Sequence, residues 1–154
     1  HGYRNIILKA KELIKNAKKK IVISGWRREV EEISKELISA KKRGIENTIF
    51  SFTKMDEKLG KIVSYELSEN DLRKIWTPKI IMIVDNQHTI MGSTKKTEDC
   101  KAILTKNTAI NEIATNHIIL DITLAGRRLG FESDSYVKNI MRDPAENLQH
   151  LLKV

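Results

Sequence analysis

Cysteine is almost absent from this sequence: Cys100 stands alone among 154 residues, so no intrachain disulfide can form. A lone thiol, with no apolar signal core near the first residues, fits a reducing, cytoplasmic setting. Proline and aromatic residues are also scarce, at two prolines and 5% aromatics. The chain therefore has no Pro-rich linker, and it has too few rings for a stacking platform along a single nucleic-acid strand. Its longest apolar runs, such as residues 80–84 and 118–120, fall far short of the ~20 residues a membrane-spanning helix needs, and no membrane partner is expected. A phosphate-cradling glycine loop, a Cys/His cluster at metal spacing and an elbow-type nucleophile are all missing. The expectation is a protein with no cofactor, no metal and no catalytic residue.

What is present is positive charge, 28 Lys and Arg against 20 Asp and Glu, a net of +8. Such a balance invites a nucleic-acid reading. However, the clusters 18–20, 41–43 and 95–96 sit where helices end or turns begin, and cations there complement the helix dipole. Direct DNA contact is accordingly set aside in favour of solvated, capped helix ends. The length suits one domain over residues 1–154, large enough to bury roughly two-thirds of its unfolded surface without a staple.

Periodicity organises that domain. Residues 3–17 carry Ile6, Ile7, Ala10, Leu13 and Ile14 at helical spacing, an amphipathic helix. A short apolar strand over 20–24 follows, then a helix over 28–42 that ends at Gly44, then a strand over 45–52. Strand–helix–strand order implies a right-handed crossover and parallel pairing. Residues 53–67 are polar and read as a loop. Ser68 starts a short helix; 79–84 and 89–91 are strands around a turn at 85–88, and 101–105 is a further strand. The tail offers two more short helices, the last starting at Asp143-Pro144.

Residues 107–129 are the most telling segment. Asn107 is the N-cap of a long helix, with Ile110, Ile113, Ala114, His117, Asp121 and Leu124 on one stripe. Ile118, Ile119, Leu120, Ile122 and Leu129 cover the other faces. A helix apolar nearly all round cannot stand half-exposed in a soluble monomer. It is either wrapped by its own fold or part of a subunit interface, and the interface reading places Ile118, Ile119 and Ile122 against a second copy.

The polar candidates carry two readings each. His117 and Asp121 lie four residues apart and can hydrogen-bond, either at a ligand pocket or as a packing pair. Trp26 follows a strand at Ser24-Gly25-Trp26; ligands sit at strand ends in open sheets, so it reads as a pocket wall or as core. Trp76 has the same two readings and leans to core.

The run Pro78–Asp85 followed by Gly92-Ser93 resembles the end of a phospholipase D half-domain, where His-x-Lys, four residues and Asp precede Gly-Ser. Asp85 and Gly92-Ser93 match. Pro78 stands in the histidine position and Ile80 in the lysine position, while Lys79 is one place early and points to the opposite face of a strand. The pattern lacks its nucleophile.

Phe50-Ser51-Phe52, the stretch 67–76, residues 79–85 and above all 107–128, with Asn116-His117-Ile118-Ile119-Leu120-Asp121-Ile122-Thr123 at its centre, resemble the C-terminal effector domains of TrmB-type transcriptional regulators. The resemblance implies an α/β fold of phospholipase D type, a mixed, mainly parallel sheet flanked by helices with the long apolar helix beside it. It also implies a homodimer, a small-molecule effector with sugars as the candidate class, and operator DNA bound through an N-terminal winged helix-turn-helix that this chain does not include. The expected effector site gathers Ser24, Trp26, Asp85, Ser93 and His117. A residual phosphodiesterase and a ligand-free dimerisation module are the alternatives.

Overall fold

The computed structural model describes residues 2–96 and 100–141. Six strands, β1 (Lys20–Ser24), β2 (Glu46–Thr53), β3 (Lys61–Leu67), β4 (Lys79–Val84), β5 (His88–Ser93) and β6 (Ala102–Thr105), form one sheet in the order β3-β2-β1-β4-β5-β6. β1 pairs in parallel with β2, and β2 with β3; β4, β5 and β6 add on the other side of β1 by antiparallel pairing. The sheet is mixed, as expected, but not mainly parallel: three of its five strand pairings are antiparallel, because β4 enters beside β1 in the opposite direction. Its parallel half comes from the helical crossover, and its antiparallel half from a tight hairpin.

Strand alternation sends side chains to two separate cores. Ile21, Ile23, Ile49, Ile80, Met82 and Val84 meet the helices α1 (Tyr3–Lys15), α2 (Arg27–Glu32) and α3 (Ser34–Lys42) on one face. Val22, Phe50, Val63 and Ile83 meet α5 (Thr108–Leu129) and α6 (Asp134–Ile140) on the other. Both faces of the central strands are covered, which is why 20–24 and 79–84 read as continuous apolar runs rather than alternating ones.

Two predicted elements change. Residues 53–67 are not a loop: a 3-10 turn at Glu57–Leu59 leads into β3, an edge strand with only Val63 buried. A strand that buries so little has a weak apolar alternation, and its polar residues mimic a loop. The helix expected over 28–42 divides at Ile33, whose φ of −108° interrupts the ladder while its side chain is wholly buried. The start at Asp143-Pro144 lies outside the described residues.

The long helix is present, with Asn107 Oδ1 accepting the Ile110 N–H at 3.1 Å as its cap. Its buried stripe is Asn111, Ala114, Ile118, Ile122, Ala125 and Gly126. That corrects the interface expected from sequence. Ile118 and Ile122 have no exposure at all, so neither is available to a partner, while Ile119 packs half-buried on the same core. The sheet surface claims them first.

Candidate ligand site and subunit face

Strand direction decides which predicted site residues can meet. Ser24 ends β1 opposite Ile81, and Ser93 ends β5 opposite Lys79, so both serines lie at one end of the sheet. Asp85 lies at the other, beside the start of β1. It begins the β4–β5 turn with φ 54°, followed by Asn86 at φ 53°, the backbone of a type I′ turn. Its carboxylate accepts three successive backbone N–H groups, from Lys18 at 2.8 Å, Lys19 at 2.7 Å and Lys20 at 3.0 Å. Asp85 is a clasp between the hairpin and β1, and it does not join the expected effector site.

Trp26 is only 4% exposed and stands as the residue before α2, whose first N–H groups are capped from afar. Arg27 N–H donates to Thr53 Oγ1 at 2.8 Å and Arg28 N–H to Glu69 at 3.2 Å. A tryptophan this enclosed closes the fold and offers no wall to a ligand. Trp76 reverses its expectation too. It is 43% exposed, rests 4.9 Å from Phe52, and has Lys79 Nζ 6.0 Å from its ring centroid.

What gathers at the serine end is a different group from the one expected. A small cavity of about 260 Å³ is lined by Thr77, Pro78, Lys79, Ile81, Met91 and Ser93. Lys79 also acts electrostatically on Asp121 of α5, whose carboxyl is pushed up by burial and pulled down by His117 and Lys79. His117 Nε2 lies 3.3 Å from Asp121 Oδ2. Lys79 thus links the cavity to the His117–Asp121 pair, a connection invisible in sequence because the residues are some forty positions apart.

A second polar cluster, unread from sequence, lies on the opposite face. Glu29 is fully buried with its Oε1 2.5 Å from Arg28 Nη2, which also donates to the Thr94 carbonyl. The Arg28 guanidinium sits 5.1 Å from the Tyr3 ring centroid. Burial, then the hydrogen bond to Glu32, pushes the Tyr3 hydroxyl well above its ordinary range. The Cys100 thiol donates to the Ser93 carbonyl at 2.7 Å and is pushed up by burial, the opposite of what an activated nucleophile needs.

The phospholipase-D-like positions resolve the same way. Pro78 is buried and Ile80 has no exposure, packed in the core with Met82. Where that pattern carries a nucleophile and a phosphate-neutralising cation, this chain has core residues. Gly92 is required by packing: a Cβ there would collide with the Ala102 backbone and the Lys101 carbonyl of the adjoining strand. Gly92→Ala is expected to destabilise by about 3 kcal/mol, the upper range for an overpacked site. Urea unfolding monitored by circular dichroism checks this, and a loss below about 0.5 kcal/mol would contradict the close approach.

Among solved structures, the fold is similar to a phospholipase D family member, Nuc from Salmonella typhimurium (19% identity, 74% of this chain and 82% of that one, TM-score 0.51). It is also similar to NucT from Helicobacter pylori (14% identity, 75% and 86%, TM-score 0.52) and to TrmBL2, an archaeal chromatin protein (17% identity, TM-score 0.54). These likenesses define the class as a phospholipase-D-like α/β domain. The alignment with TrmBL2 covers 75% of this chain and 48% of that protein, so the chain spans about half its length. No curated protein sequence matches. The family model "Transcriptional regulator TrmB, EBD N-terminal subdomain" matches residues 1–116, and the chain belongs to the TrmB family of transcriptional regulators.

Proposed function

We propose that this chain is the effector-sensing and dimerising part of its regulator, cytoplasmic and without phosphodiesterase activity. The observation that carries the reading is a set of uncovered apolar side chains, on the outer flank of α5 and on the strands beside it. Ile113, Leu120 and Leu124 of α5 are 68%, 59% and 43% exposed, spaced seven and four apart so that they share one flank. Ile81, Met91 and Ile103 form a cross-strand row; Ile81 and Met91 pack partly against the α5 core, and Ile103 is 49% exposed. Helix flank and strand row suit a second copy of the same surface, since a twofold interface must be self-complementary.

The effector site in this reading is the Ser93–Lys79 cavity, whose Lys79 acts electrostatically on Asp121 and whose Ile81 and Met91 belong to that strand row. The lining is mostly apolar, from Pro78, Ile80, Ile81 and Met91, with Thr77, Lys79 and Ser93 offering a few polar groups; a small ligand with an apolar face suits it, and a sugar would enter by such a face. A ligand there shifts the pose of the two protomers only by binding one pose more tightly. Operator DNA is then engaged through a winged helix-turn-helix outside this chain.

Sedimentation at micromolar concentration is expected to give twice the 17.7 kDa chain mass, and a single 17.7 kDa species would end the dimer reading. A sugar panel in a thermal-shift assay should yield a hit that Ser93→Ala or Lys79→Ala weakens at least tenfold. A tight dimer with no hit supports the ligand-free module instead. Release of nitrophenol from a bis-nitrophenyl phosphodiester should stay at the buffer rate; turnover that disappears with His117→Ala would restore the enzyme.

A further inference from the structure

The positive charge is concentrated at the end of the sheet away from the serine cavity. β1 and β2 both begin there, with Lys20 opposite Glu46, and α1 and α3 both end there. The structure brings together Lys15, Lys18, Lys19, Lys42 and Lys138, all exposed. Lys19 and Lys138 flank an open depression of about 540 Å³ that also contains Asp85 and Glu46. Helix-end capping, the sequence-level account of these lysines, is met by two other cations. Arg43 donates to the Ile14 and Lys15 carbonyls at 3.1 and 3.3 Å, and Lys20 Nζ donates to the Asn139, Ile140 and Met141 carbonyls at 3.1, 3.2 and 2.9 Å.

The five lysines remain outside that arrangement. The ion pairs Lys9–Glu12, Lys11–Glu36, Arg27–Glu31, Arg28–Glu29, Arg73–Glu69, Lys74–Asp71, Lys96–Glu32 and His117–Asp121 use no cation of this end. Of the nearby carboxylates, Asp85 is occupied by three backbone N–H groups. Glu46 is exposed beside Lys20 and offsets one charge, so cations remain in excess at this end.

We infer that this end is a contact surface for the phosphate backbone of a double-stranded nucleic acid, made by the domain itself. The chemistry of the patch selects the partner. None of the exposed large apolar side chains falls in segments 15–20, 41–46, 85–88 or 138–139, so the patch lacks the apolar centre that a protein interface uses. It has no aromatic residue either, and single strands are held by stacking. A duplex backbone needs only positioned cations. The inference does not depend on the effector reading, because it concerns the opposite end of the sheet.

The test is fluorescence anisotropy of this chain with a labelled 20-base-pair duplex of arbitrary sequence, at 50 to 200 mM salt. Log affinity is expected to fall linearly with log salt with a slope of about −3 to −4, the release expected for about four phosphate contacts. Replacing Lys18, Lys19 and Lys42 together by Gln should weaken binding at 50 mM salt by tenfold or more. The same change at Lys9, Lys74 and Lys96 should weaken it less than threefold. Matching thermal melts of both triple variants exclude misfolding; a destabilised first set is replaced by Lys15→Gln with Lys138→Gln. Equal losses in both sets would reduce the effect to net charge and overturn the proposal. So would no binding at 50 mM salt, or polyglutamate competing as well as duplex at equal charge, which would point to an acidic protein.

Discussion

Asp85→Ala is expected to destabilise the fold by about 3 kcal/mol or more, although Asp85 is not fully buried. Two effects add. The carboxylate accepts N–H groups from Lys18, Lys19 and Lys20, and charge-assisted hydrogen bonds contribute about 1.5–3 kcal/mol when removal leaves the donors unmatched. Alanine must also adopt φ 54°, a left-handed conformation that costs roughly 1–2 kcal/mol in a residue without a locally bonding side chain. A series separates the effects. Asp85→Gly removes the clasp but tolerates the turn, whereas Asp85→Asn keeps an acceptor and tolerates it. The order Asn, Gly, Ala, from mildest to most severe, is expected in urea unfolding. An alanine variant within about 0.5 kcal/mol of the parent would mean the clasp holds nothing. The series also explains how this Asp stands in a phospholipase-D-like frame whose nucleophile position is filled by proline: its bonds go to the scaffold.

The two sides of α5 should respond in opposite ways. Ile118→Ala is expected to cost about 2–5 kcal/mol, because it empties a fully buried site between helix and sheet. Leu120→Asp combined with Leu124→Asp lies on the exposed flank. It should convert the proposed dimer to a monomer at micromolar concentration while the far-ultraviolet spectrum is retained. Stability should then fall only by the part that association supplies, which depends on protein concentration. Sedimentation and thermal melts at two concentrations distinguish the cases. A double variant that remains dimeric would move the interface off this flank. An Ile118 variant that folds as well as the parent but dissociates would restore the interface read from sequence.

The difference between those readings shows how far a period can be pushed. Apolar spacing located α5 and its Asn107 cap, but a helix with isoleucine and leucine on several sides does not announce which side meets the sheet. That choice depends on where the strands' own side chains leave room, and Val22, Phe50 and Ile83 leave it for Ile118 and Ile122. The same limit hid β3. Its place at the edge lets Lys61, Ser64 and Glu66 remain in a strand, a polarity that reads as a loop until a neighbour is known.

The site residues divide along the same line. Ser24, Asp85 and Ser93 were each recognisable as residues at strand ends, yet the antiparallel entry of β4 sends Asp85 to the end opposite the two serines. Strand direction is a property of pairing and is written in no single segment. Local chemistry, meaning spacing, caps, turn residues and the phospholipase-D-like pattern without its nucleophile, was legible in the sequence and sufficed for most elements (not for β3 or the break at Ile33), the α/β class and the family. Which lysines gather at one end of the sheet, which flank of α5 stays exposed, and which groups lie with Lys79 were decided only by the tertiary structure. Each depends on contacts between residues far apart along the chain, and these acquire an energy only once the sheet brings them together.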